Sequence, residues 1–408
     1  MTVEELRKEF PILEEDAYGR PLVYLDNAAT SQRPCRVIEK WKEMATHSNA
    51  NIHRALHLLS SRATLEFETA RSFIADRINA EDRKQIVFTS GTTAAINLVA
   101  FSFGEAFVGE GDEVIVTRAE HHSNIVPWQM MCARKKATIK VLEIEKSGEI
   151  IPENLEKLIS PRTKIIAICH ISNVLGIVNP AKEIVAIAKK YGIPVLLDGA
   201  QGVVHQKVDV KDLDCDFYVF SGHKVYAATG TGVLYAKKKW LDAMPPYMGG
   251  GEMIKSVSFS GTTYSEAPAK FEAGTQDFLA VPTLFHAMDL QERILGDAEL
   301  MKNMDDIRDF VLEALLSDPR IHLYGVPRRT EDKIPLFSFT VEGAHHEDLA
   351  LILDKMGVAV RSGQMCAEPL MDYYGVTGML RASFAPYNTM EEAKTFIECL
   401  DKAIKMLT

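Results

Sequence analysis

Apolar positions in the first two thirds of the chain come in short β-branched bursts, separated by stretches with helical spacing. The bursts are 85–89, 112–117, 138–144, 163–169, 193–198, 216–220 and 231–236, and helix-like segments lie near 93–107, 123–136, 152–159 and 180–191. Strand–helix alternation of this kind predicts βαβ units and a mostly parallel sheet buried on both faces. A longer helical pattern precedes the first burst, from about 57 to 79. At the amino terminus, Thr2 with Glu5 three residues on has capping-box spacing and predicts a short helix ending at Pro11. Past residue 275 the texture changes to long helices over about 280–318, strands at 334–340, 358–361 and 380–384, and helices at 346–356 and the carboxyl end. The expectation is an α/β protein with a large domain over 20–280 and a smaller α+β domain over 281–408, on which residues 1–19 pack. Residues 247–275 are rich in Gly, Ser and Thr with little periodicity. A loop of that length is unusual unless it serves function.

Composition narrows the class. The 408 residues are 47% hydrophobic and 25% charged, the balance of an ordinary globular protein, which excludes a disordered chain, a collagen or a coiled-coil rod. Lys plus Arg less Asp plus Glu is 46 − 56 = −10, a poor balance for general binding to nucleic acid or an anionic membrane. No run approaches the roughly 18 apolar residues of a membrane span. The charged start MTVEELRKEF lacks an apolar signal core, so a cytoplasmic protein is expected. The six cysteines are scattered with no CxxC pair, reading as reduced thiols of which one or two carry chemistry.

In open α/β sheets ligands sit at the carboxyl ends of the strands, so the residues after each burst are the candidates. After 85–89 comes Ser90-Gly91-Thr92-Thr93 and then a helix, a place where N–H groups and hydroxyls hold phosphate, although Ser and Thr are equally the usual helix caps. It is not a P-loop, and no strand is followed by GxGxxG. Later strands end in Glu120-His121-His122-Ser123-Asn124, His170-Ile171-Ser172-Asn173, Asp198-Gly199-Ala200-Gln201 and Ser221-Gly222-His223-Lys224. An acid at the tip of a buried strand needs a cation to face. His53 and His57 stand four apart, but no HExxH pattern surrounds them and no metal is expected. A phosphate cradle, a strand-end acid, a lysine and a histidine suit one small molecule: pyridoxal 5'-phosphate, which needs a lysine for its aldehyde and a carboxylate for its pyridine nitrogen.

The chain also resembles the SUF-type group II cysteine desulfurases, relatives of the selenocysteine lyases among fold-type I pyridoxal-phosphate enzymes. The resemblance rests on ordered motifs along nearly the whole chain, among them YLDNAATSQRP (24–34), EHHSNIVPWQ (120–129), DGAQ (198–201), CDFYVFSGHK (215–224), FEAGTQD (271–277), RSGQMCAEPL (361–370) and RASFAPYN (381–388). It implies that Lys224 bonds the cofactor, Asp198 pairs with its ring nitrogen, Gln201 meets its phenolic oxygen and His121 stacks on its ring. Thr92, Thr93, Ser221 and His223 are then the phosphate set, joined by Thr275 from the other subunit of a homodimer. Asn173 and Arg381 would place the substrate, L-cysteine, beside Arg361. Cys366 would take its sulfur as a persulfide, leaving alanine, and pass the sulfur to an acceptor protein of SufE or SufU type for iron–sulfur cluster assembly. His345 and His346 lie where a SufU-type partner would engage, though surface histidines are common.

The chain departs from that pattern at Ala227-Ala228, at Gln276-Asp277 and, most consequentially, at Gln364-Met365, where most relatives carry two histidines before the nucleophile. Neither residue can take up a proton, so slow unaided desulfuration is expected. A selenocysteine lyase or cysteine-sulfinate lyase on the same fold would need Cys366 less. A non-catalytic scaffold would not need the full set.

Overall fold

A computed structural model describes residues 1–408. Its centre is a seven-stranded sheet made of β1 (Ile86–Thr89), β2 (Glu113–Thr117), β3 (Thr138–Leu142), β4 (Thr163–Cys169), β5 (Val195–Asp198), β6 (Phe217–Ser221) and β7 (Gly232–Ala236). The spatial order is β1-β7-β6-β5-β4-β2-β3. Only β7 runs against the rest, antiparallel to both β1 and β6. Every residue of β2, β5, β6 and β7 is buried, as continuous apolar runs demand when helices cover both faces. Because six strands point the same way, their carboxyl ends open onto one edge. There Thr89, Thr117, Cys169, Asp198 and Ser221 hand the chain to the five polar turns singled out above.

The carboxyl-terminal part builds a second, antiparallel sheet. Its strands are β8 (Ile321–Tyr324), β9 (Leu336–Val341), β10 (Arg361–Gly363) and β11 (Met379–Ser383), in the order β8-β9-β11-β10. Helices Ala298–Ser317, His346–Lys355 and Met390–Leu407 pack on it around a separate core that includes Val311, Phe339, Leu353 and Phe396.

Two details differ from the pattern reading. The amino-terminal helix has its capping box at Thr2 but ends at Arg7, before Pro11. A residue preceding proline is pushed out of the helical region. Phe10 is accordingly non-helical, at φ −117° and ψ 85°, and Pro11 opens a separate 3₁₀ turn. Within 247–275 lies a hairpin, Ile254–Ser258 with Gly261–Tyr264, almost wholly exposed on both faces. With neither face buried there is no apolar alternation to read. The amino-terminal segment touches both halves: Phe10 packs on Tyr226 and on Tyr387, and Val23–Tyr24 pairs in parallel with Val358–Ala359.

Candidate active site

The strand ends converge on one cavity of about 200 Å³ lined by Thr92, Thr93, His121, Asn173, Asp198, Gln201, Ser221, His223, Lys224, Arg361, Cys366 and Arg381 among others. Residues from both sheets thus share it.

One end is a helix amino terminus. The helix Thr92–Phe107 starts after Gly91, whose φ of +148° suits glycine and which Gly232 approaches so closely that a Cβ at 232 would lie 2.4 Å from the Gly91 Cα. The Thr92 N–H donates to Ser221 Oγ at 2.7 Å, and the two hydroxyls meet at 2.8 Å. The next two N–H groups, of Thr93 and Ala94, find no acceptor in the chain. Free amides, hydroxyls and the positive end of the helix dipole make an anion cradle there. His223 stands beside it with Nδ1 at 3.2 Å from Thr30 Oγ1, and burial lowers its pKa to about 4.

Across the cavity Asp198 is buried at the tip of β5 and accepts the Ala200 N–H at 3.0 Å. Burial raises its pKa, and that hydrogen bond and Lys224 oppose the rise. A pyridinium N–H would complete what the carboxylate lacks. Lys224 closes the 3₁₀ turn Gly222–Lys224 after β6. Burial lowers its pKa to about 8; Asp198 works against this, and Arg381 and Arg361 add to it. A near-neutral amine is what capture of an aldehyde requires. His121 is held at about 3, first by burial and then by Lys224. Its Nδ1 accepts the Ser123 N–H at 3.0 Å, so the neutral ring carries its hydrogen on Nε2. Gln201 donates through Nε2 to the Ala28 carbonyl at 2.8 Å, which fixes its amide at the cavity wall.

The third group comes from the smaller sheet. Arg381, on β11, is 1% exposed. It donates to the Asn173 carbonyl and to Asp26 Oδ1, both at 2.9 Å, while its Nε has no partner. An orphaned guanidinium N–H at a cavity wall suits a carboxylate ligand. Asn173 spends one amide hydrogen on the Met365 carbonyl at 3.0 Å. Cys366 is half-buried, and an Arg361 guanidinium nitrogen lies 3.9 Å from its sulfur. Met365 and Cys366 both have left-handed backbone, at φ +53° and +56°.

Of the residues expected to hold the cofactor and the substrate, Thr275 alone lies outside this cavity; it is exposed, next to Gly274, whose N–H donates to the Gly251 carbonyl. Sequence reasoning assigned no role to Asp26 or Glu120. Asp26 stood within a quoted motif and balances Arg381. Glu120 is fully buried beneath the histidine turn and accepts from Thr117 Oγ1, Asn124 Nδ2 and the Cys169 N–H. Burial raises its pKa to about 7. Its signal was an acid three residues past the end of a buried strand, weaker than that of Asp198, which ends its own strand.

These residues fit pyridoxal phosphate: a cradle with unspent N–H groups for the phosphate, a buried acid for the ring nitrogen and a lysine of lowered pKa for the aldehyde. Residues 23–396 match the Aminotransferase class-V family. A cysteine desulfurase of Cronobacter sakazakii is 44% identical, covering 100% of this chain and 99% of its own. Two solved cysteine desulfurases are similar throughout. The Escherichia coli structure has a TM-score of 0.90 at 38% identity, covering 100% of both chains. The Thermococcus onnurineus apo structure has a TM-score of 0.93 at 36% identity, covering 99% of this chain and 98% of its own. The chain belongs to the class-V aminotransferase family, among its cysteine desulfurases.

Proposed function

We propose that this chain is a pyridoxal-phosphate-dependent cysteine desulfurase that converts L-cysteine to L-alanine and keeps the sulfur on Cys366. The observation that carries the reading is the single cavity in which Lys224, Asp198 and the anion cradle face Arg381, Arg361 and Cys366.

When bound, the cofactor supplies an electron sink conjugated to the substrate's amine. Thr92, Thr93, Ser221 and His223 would hold its phosphate, Asp198 would keep its ring nitrogen protonated, and Gln201 would hold its phenolic oxygen. Neutral His121 lines the same cavity with its Nε2 hydrogen available and would serve as a proton donor beside the ring. Arg381, helped by Asn173, fixes the substrate carboxylate, which orients the Cα–H toward the Lys224 amine. The Cys366 thiolate, with the Arg361 cation beside it, attacks the substrate sulfur. One S–S bond forms as the Cβ–S bond breaks, the electron pair leaves toward carbon, and a proton completes the alanine methyl. Cysteine plus Cys366–SH becomes alanine plus Cys366–S–SH, with no external oxidant.

The same reading has a large domain over 20–280 and a smaller one over 281–408 with residues 1–19 on it. It makes the protein a cytoplasmic homodimer in which Thr275 serves the neighbouring subunit's phosphate. No helix is long and apolar enough to cross a membrane. The sulfur acceptor is a protein of SufE or SufU type. The test is alanine and sulfide formation from cysteine by the holoenzyme, with and without each shuttle, alongside sedimentation. Equimolar alanine and shuttle-bound sulfur from a dimer are expected. Cysteine that yields no alanine refutes the reading.

A further inference from the structure

Cys366 sits in a turn closed by a single local bond, from the Ala367 N–H to the Gln364 carbonyl at 3.0 Å, at residue types that disfavour its geometry. Met365 and Cys366 are consecutive left-handed residues, a conformation that L-residues other than Asn and Asp rarely hold. The helix that follows, Glu368–Tyr374, has Ala367 in its capping position, which offers no side-chain cap. Its first N–H, that of Glu368, is nonetheless bonded: it donates to His122 Nε2 at 2.9 Å. The same histidine's backbone N–H donates to the Cys366 carbonyl at 2.7 Å. His122 therefore grips the nucleophile segment at two points, the carbonyl of Cys366 itself and the N–H two residues beyond it, across 246 positions of sequence. It does not line the cavity itself.

The turn that carries it is firmly built. His121 caps the 3₁₀ turn His122–Asn124 through Nδ1. Asn124 below is bonded to buried Glu120 and to the Trp128 indole. One short turn thus presents two histidines with different tasks. His121 faces the cavity, and His122 reaches out to cap a helix that another part of the chain left uncapped.

We infer that His122 is a positioning residue for the sulfur-transfer step, holding Cys366 in its left-handed pose beside Arg361 by capping the helix that follows it. The inference rests on the desulfurase reading. It separates the two halves of the reaction: loss of the imidazole should leave cofactor and cysteine binding alone and slow the capture of sulfur. Substitution removes only the ring bond, because the backbone N–H to Cys366 stays in every variant.

The experiment uses the holoenzyme of wild type, His122→Ala and His122→Gln; the Gln amide oxygen can replace the Nε2 acceptor. A capping bond of ordinary strength corresponds to about a tenfold change in an equilibrium. His122→Ala should lower kcat for alanine release about tenfold with KM for cysteine within about twofold. It should speed amide exchange over 366–368 by a similar factor without substrate, and His122→Gln should recover most of both. Wild-type kcat and exchange in His122→Ala, or a His122→Gln no better than the alanine variant, would overturn the inference. Should the alanine variant not fold, His122→Asn takes its place, its shorter amide falling short of Glu368, and the same comparison decides. Wild type that makes no alanine from cysteine sinks the desulfurase reading instead, while the exchange measurement still reports on the clamp.

Discussion

The cavity has two walls made in different ways. The wall formed by the large sheet is rigid and locally specified. Asp198, Ser221 and the Thr92 turn sit at the ends of buried strands, and the polar atoms that bear on the ligand are placed within a few residues of those ends. The wall that bears Cys366 is half-exposed and left-handed at two positions. It is held from outside by the Asn173 amide, the His122 backbone and the His122 ring. The contrast follows from the tasks. A cofactor stays, so its cradle gains from preorganisation on strands. On the proposed function a sulfur must be received inside and surrendered outside, and Cys366, its proposed carrier, sits half-buried on a segment held mainly by tertiary bonds rather than on a strand.

If the walls are separable in this way, substitutions should divide cleanly. Lys224→Ala should remove both the covalently bound cofactor's visible band and turnover, by roughly 10⁴-fold or more. Cys366→Ala should keep that band and its response to cysteine, yet lower alanine release at least about a hundredfold and abolish the persulfide seen by mass spectrometry. Turnover of selenocysteine, whose selenium leaves more readily, should survive the second change and not the first. A Cys366→Ala protein that loses its cofactor would break the comparison, because the two walls would then be one.

The same contrast explains what could be read from the sequence alone. Asp198, Ser221 and Lys224 were legible because a strand, its tip and the next turn are contiguous, and parallel topology places all such tips on one edge. The seven strands followed from unbroken β-branched runs. The clamp on Cys366 was not legible, since it joins 122, 173 and 365–368 through tertiary contact alone, and nothing in the spelling of His122 sets it apart from His121. Nor was the hairpin within 247–275, whose strands bury neither face. Roles such as those of Gln201 and Thr275 came from family likeness, not from local pattern.

A finer test of the rigid wall uses pH. Burial lowers Lys224 to about 8, so its reactive neutral form appears well below the pH at which an exposed lysine loses its proton. Below 8 the neutral fraction rises tenfold for each pH unit. Apoprotein mixed with pyridoxal phosphate should therefore capture it about tenfold faster at pH 7 than at pH 6, with the rate levelling above about 8. Stopped-flow absorbance gives the profile. A rate still climbing tenfold per unit between pH 9 and 10 would mean that the lysine is not desolvated by this wall.

The smallest effect concerns the two positions before the nucleophile. They look equivalent in sequence, as two residues unable to exchange a proton, but their surroundings differ. Met365 is 3% exposed and packs into the large core. Gln364 is exposed, its amide 3.5 Å from Glu368 Oε1. A histidine at 365 would bury an imidazole and cost about 1–3 kcal/mol of stability without a partner, visible as a lower melting temperature. A histidine at 364 would keep solvent contact and a carboxylate neighbour, and could exchange protons near neutrality. Gln364→His should thus raise alanine release without an acceptor about threefold at pH 7. It should have less effect when a shuttle protein is present, because the acceptor then clears the persulfide. An unchanged unaided rate would mean that proton handling beside Cys366 is not limiting. The slow step would then lie in holding or releasing the segment, which His122 and Asn173 control.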